Sequence, residues 1–449
     1  FQKGCIYMKS ILTRVALSFF LFVFLIPNFA FSETKTYIKE YTYRASEADS
    51  KLSSRTTAMA EVKRLLLEEL GTYLESITEV KNFQLTKDQI TALTAGIVKV
   101  EVIDERWNGE TYWIKTKIVA DANDVIRSID RLSKDRQKSQ ELENTKKKVD
   151  IILRENKILR EELALANENA KQEVQQRYNN SIKELSAIEW FEEGFKYFQK
   201  ANYEKAIPCY DKAIELNPNY ALVYGSRGSI YAHYKKYNKA IIDLNKAIEL
   251  NPNETLAYMV RGYVYNMLKK YNEAIIDLNK AIELNPNIDA VYNNRGFAHR
   301  SVKKYNEAII DYNKAIELNP KYDSAYNGRA QALIFLGKIN EAFVDFNKAI
   351  ELNPKNQEAR YFRGLINHAF GKYNEAIIDF NKTIELNPKD WNAYYSRAVS
   401  YSITGHPKES IQDLKKAIQL NPTCRNDAKT DEKFDNIRNT NEFKKLIGQ

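Results

Sequence analysis

Six arginines and six aspartates recur through the second half of the chain with a single period. Arg227, Arg261, Arg295, Arg329, Arg363 and Arg397 stand 34 residues apart, and Asp243, Asp277, Asp311, Asp345, Asp379 and Asp413 each follow one of them by 16 residues. Acid and base in such register could serve as a basic ladder for an acidic ligand, or as an ion pair inside each repeat. The preceding unit lacks both, with Glu193 and Cys209 in their places. A joint loss points to contact between the two helices of one hairpin. Catalysis would need a denser constellation. His233, His299, His368 and His406 are the four histidines, and none has metal-ligand spacing to a cysteine or to another histidine. No glycine-rich phosphate loop or nucleophile elbow occurs, and the acids and bases recur with the repeat. The chain therefore reads as non-enzymatic, with no cofactor and no metal.

The elements that carry these residues are marked by proline. The phrase KAIELNP ends at Pro218, and it or a close variant ends again at Pro252, Pro286, Pro320, Pro354, Pro388 and Pro422, which are seven of the chain's 10 prolines. Proline cannot continue a helix and restricts the residue before it, so every unit stops at the same place and the next can stack on it. The unit AYMVRGYVYNMLKKYNEAIIDLNKAIELNPN carries Tyr258, Gly262, Tyr265, Ala274, Leu278, Ala281 and Pro286. Small residues let two helices approach closely, while large ones fill the space between neighbouring hairpins. The pattern resembles the tetratricopeptide repeat family over residues 187–422, with Trp190, Gly194, Tyr197, Ala206, Tyr210, Ala213 and Pro218 matching it in the first of seven units. Ala330 and Ala398 depart from the family's glycine, and Thr383 and Ser410 from its alanine.

The resemblance implies a mainly α fold, an α-solenoid of seven helical hairpins. It also implies an extended or helical protein segment held in the concave groove made by the first helices. Mapped onto this chain, the groove positions are Met259, Tyr263 and Asn266; Asn293, Phe297 and Arg300; Asn327 and Gln331; Tyr361 and His368; and Asn392 and Tyr395. This lining is aromatic and amide-rich with hardly any lysine. It departs from the lysine and asparagine clamp by which some family members hold a chaperone's C-terminal carboxylate. The bland alternative for each of these aromatics is packing between hairpins.

Length and composition frame the rest. The chain has 449 residues, 44% of them apolar and 28% charged, with a formal charge of +9. No segment concentrates a basic stripe, so nucleic acid is not an expected partner. Lys9 and Arg14 precede an apolar run from Val15 to Ile26, and Ala30 and Ser32 occupy signal-peptidase positions. Residues 1–32 thus read as a signal peptide with a few upstream residues, cleaved before Glu33, which implies a periplasmic or secreted protein of a Gram-negative envelope. A membrane association follows only if the signal stays uncleaved. Cys209 and Cys424 are too few for a disulfide scaffold.

Residues 33–130 alternate like strands at TYIKEYTYRA and IVKVEVIDERW, turn helical between them, and place Asn108-Gly109 as a hairpin turn, so a small α+β domain is expected. The stretch from LGTYLESITEV to GETYWIKTKI resembles the N-terminal domain of the flagellar assembly protein T family and related envelope lipoproteins. Residues 139–185 carry heptads with Leu142, Val149, Asn156, Leu163 and Ala170 at a and Thr145, Ile152, Leu159 and Ala166 at d. They predict a parallel coiled-coil homodimer in which Glu141 faces Lys146 and Glu155 faces Arg160; a lone solvated linker helix is the alternative. Residues 423–449 place Phe434, Ile437, Phe443 and Leu446 at helical intervals and predict a capping helix. The functional expectation is a non-enzymatic scaffold that binds a protein or peptide segment. Two alternatives stand beside it: an assembly factor of an envelope machine such as a flagellar motor ring, and a regulator of a cell-wall or polysaccharide enzyme.

Overall fold

The computed structural model describes residues 34–77, 85–134 and 136–448, and contains twenty α-helices and three strands among them. The signal peptide expected over residues 1–32 and the mature terminus expected at Glu33 lie outside the described residues. No helix of the described residues is long and apolar enough to cross a membrane. The chain forms two compact units, Phe1–Asn219 and Tyr220–Gln449.

In the first unit, β1 (Thr34–Arg44), α1 (Lys51–Glu75), α2 (Lys87–Ala95), β2 (Val100–Trp107), β3 (Thr111–Asp121) and α3 (Ala122–Lys134) make the expected α+β domain. Both outer strands pair antiparallel with β3 in the order β1-β3-β2. Tyr112, Ile114, Thr116, Ile118 and Ala120 alternate along β3 and are buried, which gives the sheet one face for the core. Leu66, Leu70 and Leu74 of α1 and Ile90 and Leu93 of α2 fill that face, and Ser50 and Ser53 close a capping box at the start of α1. The β2–β3 turn differs in detail from a two-residue turn with both central residues left-handed. Only Gly109 has positive φ, at 99°, and Asn108 instead accepts from the backbone N–H groups of Glu110 (3.0 Å) and Thr111 (2.7 Å) through its side chain.

The expected coiled coil is not one helix. Helix α4 (Arg136–Leu165) ends at a two-residue break, and Asn167 caps a new helix, α5 (Glu168–Gln199), by accepting from the Ala170 N–H at 3.1 Å. Leu159 and Leu163 of α4 pack with Tyr178 and Ile182 of α5, so the apolar seam is covered within the chain. The charges assigned to a partner helix are also used internally. Lys146 pairs with Asp88 at 2.7 Å, and Arg160 donates to the Arg44 carbonyl at 2.7 Å while lying over the Tyr43 ring. Asn156, expected to pair across a dimer, is 2% exposed inside its own unit. Helix α5 runs straight through the expected boundary at residue 187 to become the first helix of the first repeat, and α6 (Tyr203–Leu216) is the second.

The second unit holds the other six hairpins: α7 (Ala221–His233) with α8 (Tyr237–Leu250), α9 (Thr255–Met267) with α10 (Tyr271–Leu284), and α11 (Asp289–Ser301) with α12 (Tyr305–Leu318). Then follow α13 (Asp323–Phe335) with α14 (Ile339–Leu352), α15 (Gln357–Ala369) with α16 (Tyr373–Leu386), and α17 (Trp391–Ile403) with α18 (Pro407–Leu420). Close approach explains the small residues. A Cβ on Gly364 would stand 2.7 Å from a ring carbon of Phe380 on the paired helix. The LNP stop also has a visible mechanism. The Asn285 N–H donates to the Ala281 carbonyl at 2.9 Å, its side chain accepts from the Asn287 N–H at 3.0 Å, and Pro286 ends the run.

Inside each hairpin the chain reverses through one left-handed residue. The three earlier turns of this unit use Lys235 (φ 58°), Lys269 (φ 60°) and Lys303 (φ 63°), whereas the three later ones use Gly337, Gly371 and Gly405. A side-chain-bearing residue in this conformation carries a penalty of roughly 1 kcal/mol that glycine avoids. Lys269→Gly is therefore expected to stabilise the repeats by about 0.5–1 kcal/mol, the gain being limited by glycine's larger unfolded-state entropy. The urea midpoint checks this, and a lowered midpoint contradicts it.

The C-terminal cap exists but is not a single helix. Helix α19 (Cys424–Thr430), a 3-10 turn (Glu432–Phe434) and α20 (Asn441–Ile447) share the work, because Asp431 and Thr440 accept backbone N–H groups that would otherwise continue a helix. Phe434, Ile437, Phe443 and Ile447 are buried against α17 and α18, and Leu446 is only partly buried. Cys209 and Cys424 are both free and buried.

Candidate functional site

The arginines and aspartates meet as expected, inside single hairpins. Arg261 donates from Nε and Nη2 to the two carboxylate oxygens of Asp277, both at 2.7 Å, and the same fork joins Arg227 to Asp243, Arg329 to Asp345, Arg363 to Asp379 and Arg397 to Asp413. Arg295 holds Asp311 in the same way, and His299 Nδ1 lies 2.9 Å from the second oxygen of that carboxylate. Burial pushes the Asp413 carboxyl up against the opposing pull of Arg397. Tyrosines on the same first helix flank the Arg227, Arg261 and Arg397 guanidinium groups on both sides, as Tyr258 and Tyr265 do Arg261 at 5.6 and 5.9 Å, and Arg295 and Arg329 have one such neighbour each.

A third partner was missed from the sequence. Arg261, Arg295, Arg329, Arg363 and Arg397 each donate from Nη1 to an asparagine on the second helix of the preceding hairpin: Asn245, Asn279, Asn313, Asn347 and Asn381, at 2.6–2.8 Å. The signal was present, since these asparagines also recur every 34 residues. With its forked donors spent on one hairpin and Nη1 on the one before, the arginine row is a set of ties and not a ladder for an acidic ligand.

The residues mapped to the groove lie on the first helices α9, α11, α13, α15 and α17, and the structure sorts them into three groups. Met259 packs into the core shared by hairpins three and four, and Phe297 meets the Tyr271 ring edge-on at 6.3 Å, so both do packing work. The polar residues bridge neighbouring first helices. Asn266 Nδ2 donates to the Asn294 carbonyl at 2.9 Å, Arg300 donates to Gln331 Oε1, and Asn327 Nδ2 donates to Glu358 at 2.7 Å, while Asn293 is partly buried. Each bridge uses part of its side chain. Asn266 Oδ1, Arg300 Nε, Asn327 Oδ1 and Gln331 Nε2 are buried with no hydrogen-bond partner.

Toward the C-terminal end, His368 Nδ1 sits 3.0 Å from Ser400 Oγ, and burial together with the nearby Lys433 holds the imidazole below its ordinary range. Burial pushes the Tyr361 phenol up, opposed by a hydrogen bond with Ser396. Tyr395 is already occupied: its hydroxyl donates to Asp431 at 3.1 Å and its ring meets Phe434 at 90°. Asn392 is partly buried, and Tyr263 is the most open of the set at 38% exposure. Nothing in the periodic pattern announced Glu358 or Asp431 as partners, the first lying at the start of a helix and the second outside the repeats.

Residues 187–220, 221–254, 255–288, 290–322 and 324–356 match the tetratricopeptide repeat family model, and two further models of the same repeat match residues 357–390 and 380–412. Residues 187–412 are tetratricopeptide repeats. No curated protein matches the chain. Among solved structures, YrrB, described as a tetratricopeptide repeat protein with an unusual peptide-binding site, is 24% identical over 40% of this chain and 92% of its own, with a TM-score of 0.34. MamA is 25% identical over 36% of this chain and 95% of its own, with a TM-score of 0.33. A tetratricopeptide repeat protein from Parabacteroides merdae ATCC 43184 is 21% identical over 57% of this chain and 99% of its own, with a TM-score of 0.42. The tetratricopeptide repeat is a fold of protein–protein interaction scaffolds, and no catalytic family is indicated. All family matches fall within residues 187–412, and the resemblance expected between the N-terminal domain and the flagellar assembly protein T family is not shown by them.

Proposed function

We propose that the tetratricopeptide repeats hold an extended or helical segment of a partner protein against α9, α11, α13 and α15, the first helices of hairpins three to six. The observation that carries this reading is the row of half-used polar side chains there. Asn266 Oδ1, Asn327 Oδ1, Gln331 Nε2 and Arg300 Nε are two acceptors and two donors without partners. A peptide backbone supplies both kinds of partner without demanding charge. Hairpin seven is outside the reading because Asp431 and Phe434 of the cap already cover Tyr395.

The likeness of the N-terminal domain supports a periplasmic setting and, as a finer reading, an assembly role in an envelope machine such as a flagellar motor ring. A dimer through α4 is not part of the proposal, since its seam is covered within the chain. The test is capture of the natural partner from envelope extract by immobilised protein. Tyr263→Ala and Tyr361→Ala are each expected to weaken it by about 1 kcal/mol or more, as buried tyrosines at interfaces do. Salt is expected to weaken capture only slightly, in contrast to a polyanion partner. Capture that survives the double variant unchanged rules this face out.

A further inference from the structure

A second candidate site lies within the first compact unit. A cavity of about 720 Å³ opens between β1, α1 and α4, within the size range of small-molecule pockets. Tyr41, Tyr43, Thr57, Leu153 and Asn156 line it. Thr57 and Asn156 are only 7% and 2% exposed, yet Thr57 Oγ1 and both Asn156 amide atoms have no hydrogen-bond partner. Buried polar groups are nearly always bonded, and three unbonded atoms on one cavity wall need an explanation. The heptad pattern had drawn attention to Asn156 for pairing across a dimer, and in the structure it closes this cavity instead.

The mouth of the cavity is charged and unbalanced. Arg64 is held by Glu61 and Glu68 at 3.0 and 2.9 Å, and Arg160 lies 3.4 Å from Asp49. Arg44, Arg154 and Lys157 also line the cavity and are exposed, and no carboxylate of the described residues lies within ion-pair distance of them. Asp150 is the only lining carboxylate without a cation at that distance among the described residues. Three free cations against one free carboxylate favour an anion. A bare inorganic anion could use the cations but would leave Asn156 Oδ1, an acceptor, without a donor; a neutral sugar would leave the cations unused.

We propose that this cavity binds a small carboxylate that carries a neighbouring amide, that is, an N-acylated amino acid or the end of a short peptide. The ligand's amide reaches Asn156 and Thr57 at the floor, where a turn of the Asn156 side chain brings its otherwise closed-off amide to the ligand. The carboxylate stays at the mouth with Arg44, Arg154 and Lys157. This reading is independent of the repeat groove, and its failure would leave that proposal intact.

The test is calorimetric titration of the full chain with N-acetyl-alanyl-alanine. Saturable binding is expected in the millimolar range or tighter, with the C-terminal amide analogue weaker by about tenfold or more. The surface double variant Arg154→Gln with Lys157→Gln is expected to lose about tenfold in affinity while its melting temperature stays unchanged. Asn156→Leu removes the unbonded amide, so it is expected to raise the melting temperature of the free protein and abolish binding. A longer peptide with the same terminus separates the two sources of this chemistry: equal affinity assigns the site to protein C-termini, and exclusion assigns it to the free small molecule. No saturable binding by wild type up to about 10 mM, or equal binding by Asn156→Leu, overturns the proposal.

Discussion

Arg329→Ala is expected to lower the stability of the repeats by about 3 kcal/mol, because removing one member of a buried ion pair strands the other. The arginine joins two hairpins. It donates twice to Asp345, which is 5% exposed, and once to Asn313 on the hairpin before. Its loss leaves a carboxylate that water barely reaches. Arg295→Ala is expected to cost less, since His299 Nδ1 remains 2.9 Å from the Asp311 carboxylate as a second polar partner. Urea unfolding of both single variants and of Arg329→Ala with Asp345→Ala closes a double-mutant cycle. The double variant should recover a large part of the single loss. Simple addition of the two single effects would mean that the pair does not interact energetically.

Phe434→Ala is expected to cost about 3–4 kcal/mol in the C-terminal cap, the usual scale for truncating a fully buried phenylalanine. Phe434 is 0% exposed and meets the rings of Tyr395 and Phe443 at 5.6 and 5.7 Å. It is the ring through which the 3-10 turn reaches both the last hairpin and α20. A terminal hairpin stripped of its cap exposes the apolar face that its neighbours bury. Limited proteolysis should then cut within residues 423–448 of the variant while the inner hairpins stay protected. A cap as resistant as that of wild type would show that Phe434 does not anchor it.

The same loss uncovers Tyr395, whose hydroxyl is engaged by Asp431. The cap variant would therefore lengthen the open row of first helices as well as loosen the end of the array.

The repeats were legible because a short period writes the same physics many times. Pro286 and its equivalents mark the stops, Gly262 and Gly364 mark the close approaches, and the joint absence of arginine and aspartate from unit one reveals their contact. The long helical segment was misread for the opposite reason. A heptad seam on α4 states that the helix needs an apolar partner but not which one, and Asn167, a single capping residue, decides that the partner is the next stretch of the same chain. The groove was legible only as a set of positions. Whether Asn327 faces solvent or bonds Glu358 depends on two hairpins stacking, which one unit's residues do not encode.

The cavity in the first unit could not be read in advance, because Thr57 and Asn156 lie 99 residues apart and carry no shared motif.

The backward reach of the arginines gives each of units three to six a plug at its front and a socket at its back. Arg295 plugs into Asn279, and the unit that carries Arg295 also offers Asn313 to its successor. A whole unit copied in or removed between two others leaves every plug with a socket, so tandem duplication can change the length of the binding face without any compensating substitution at the joints.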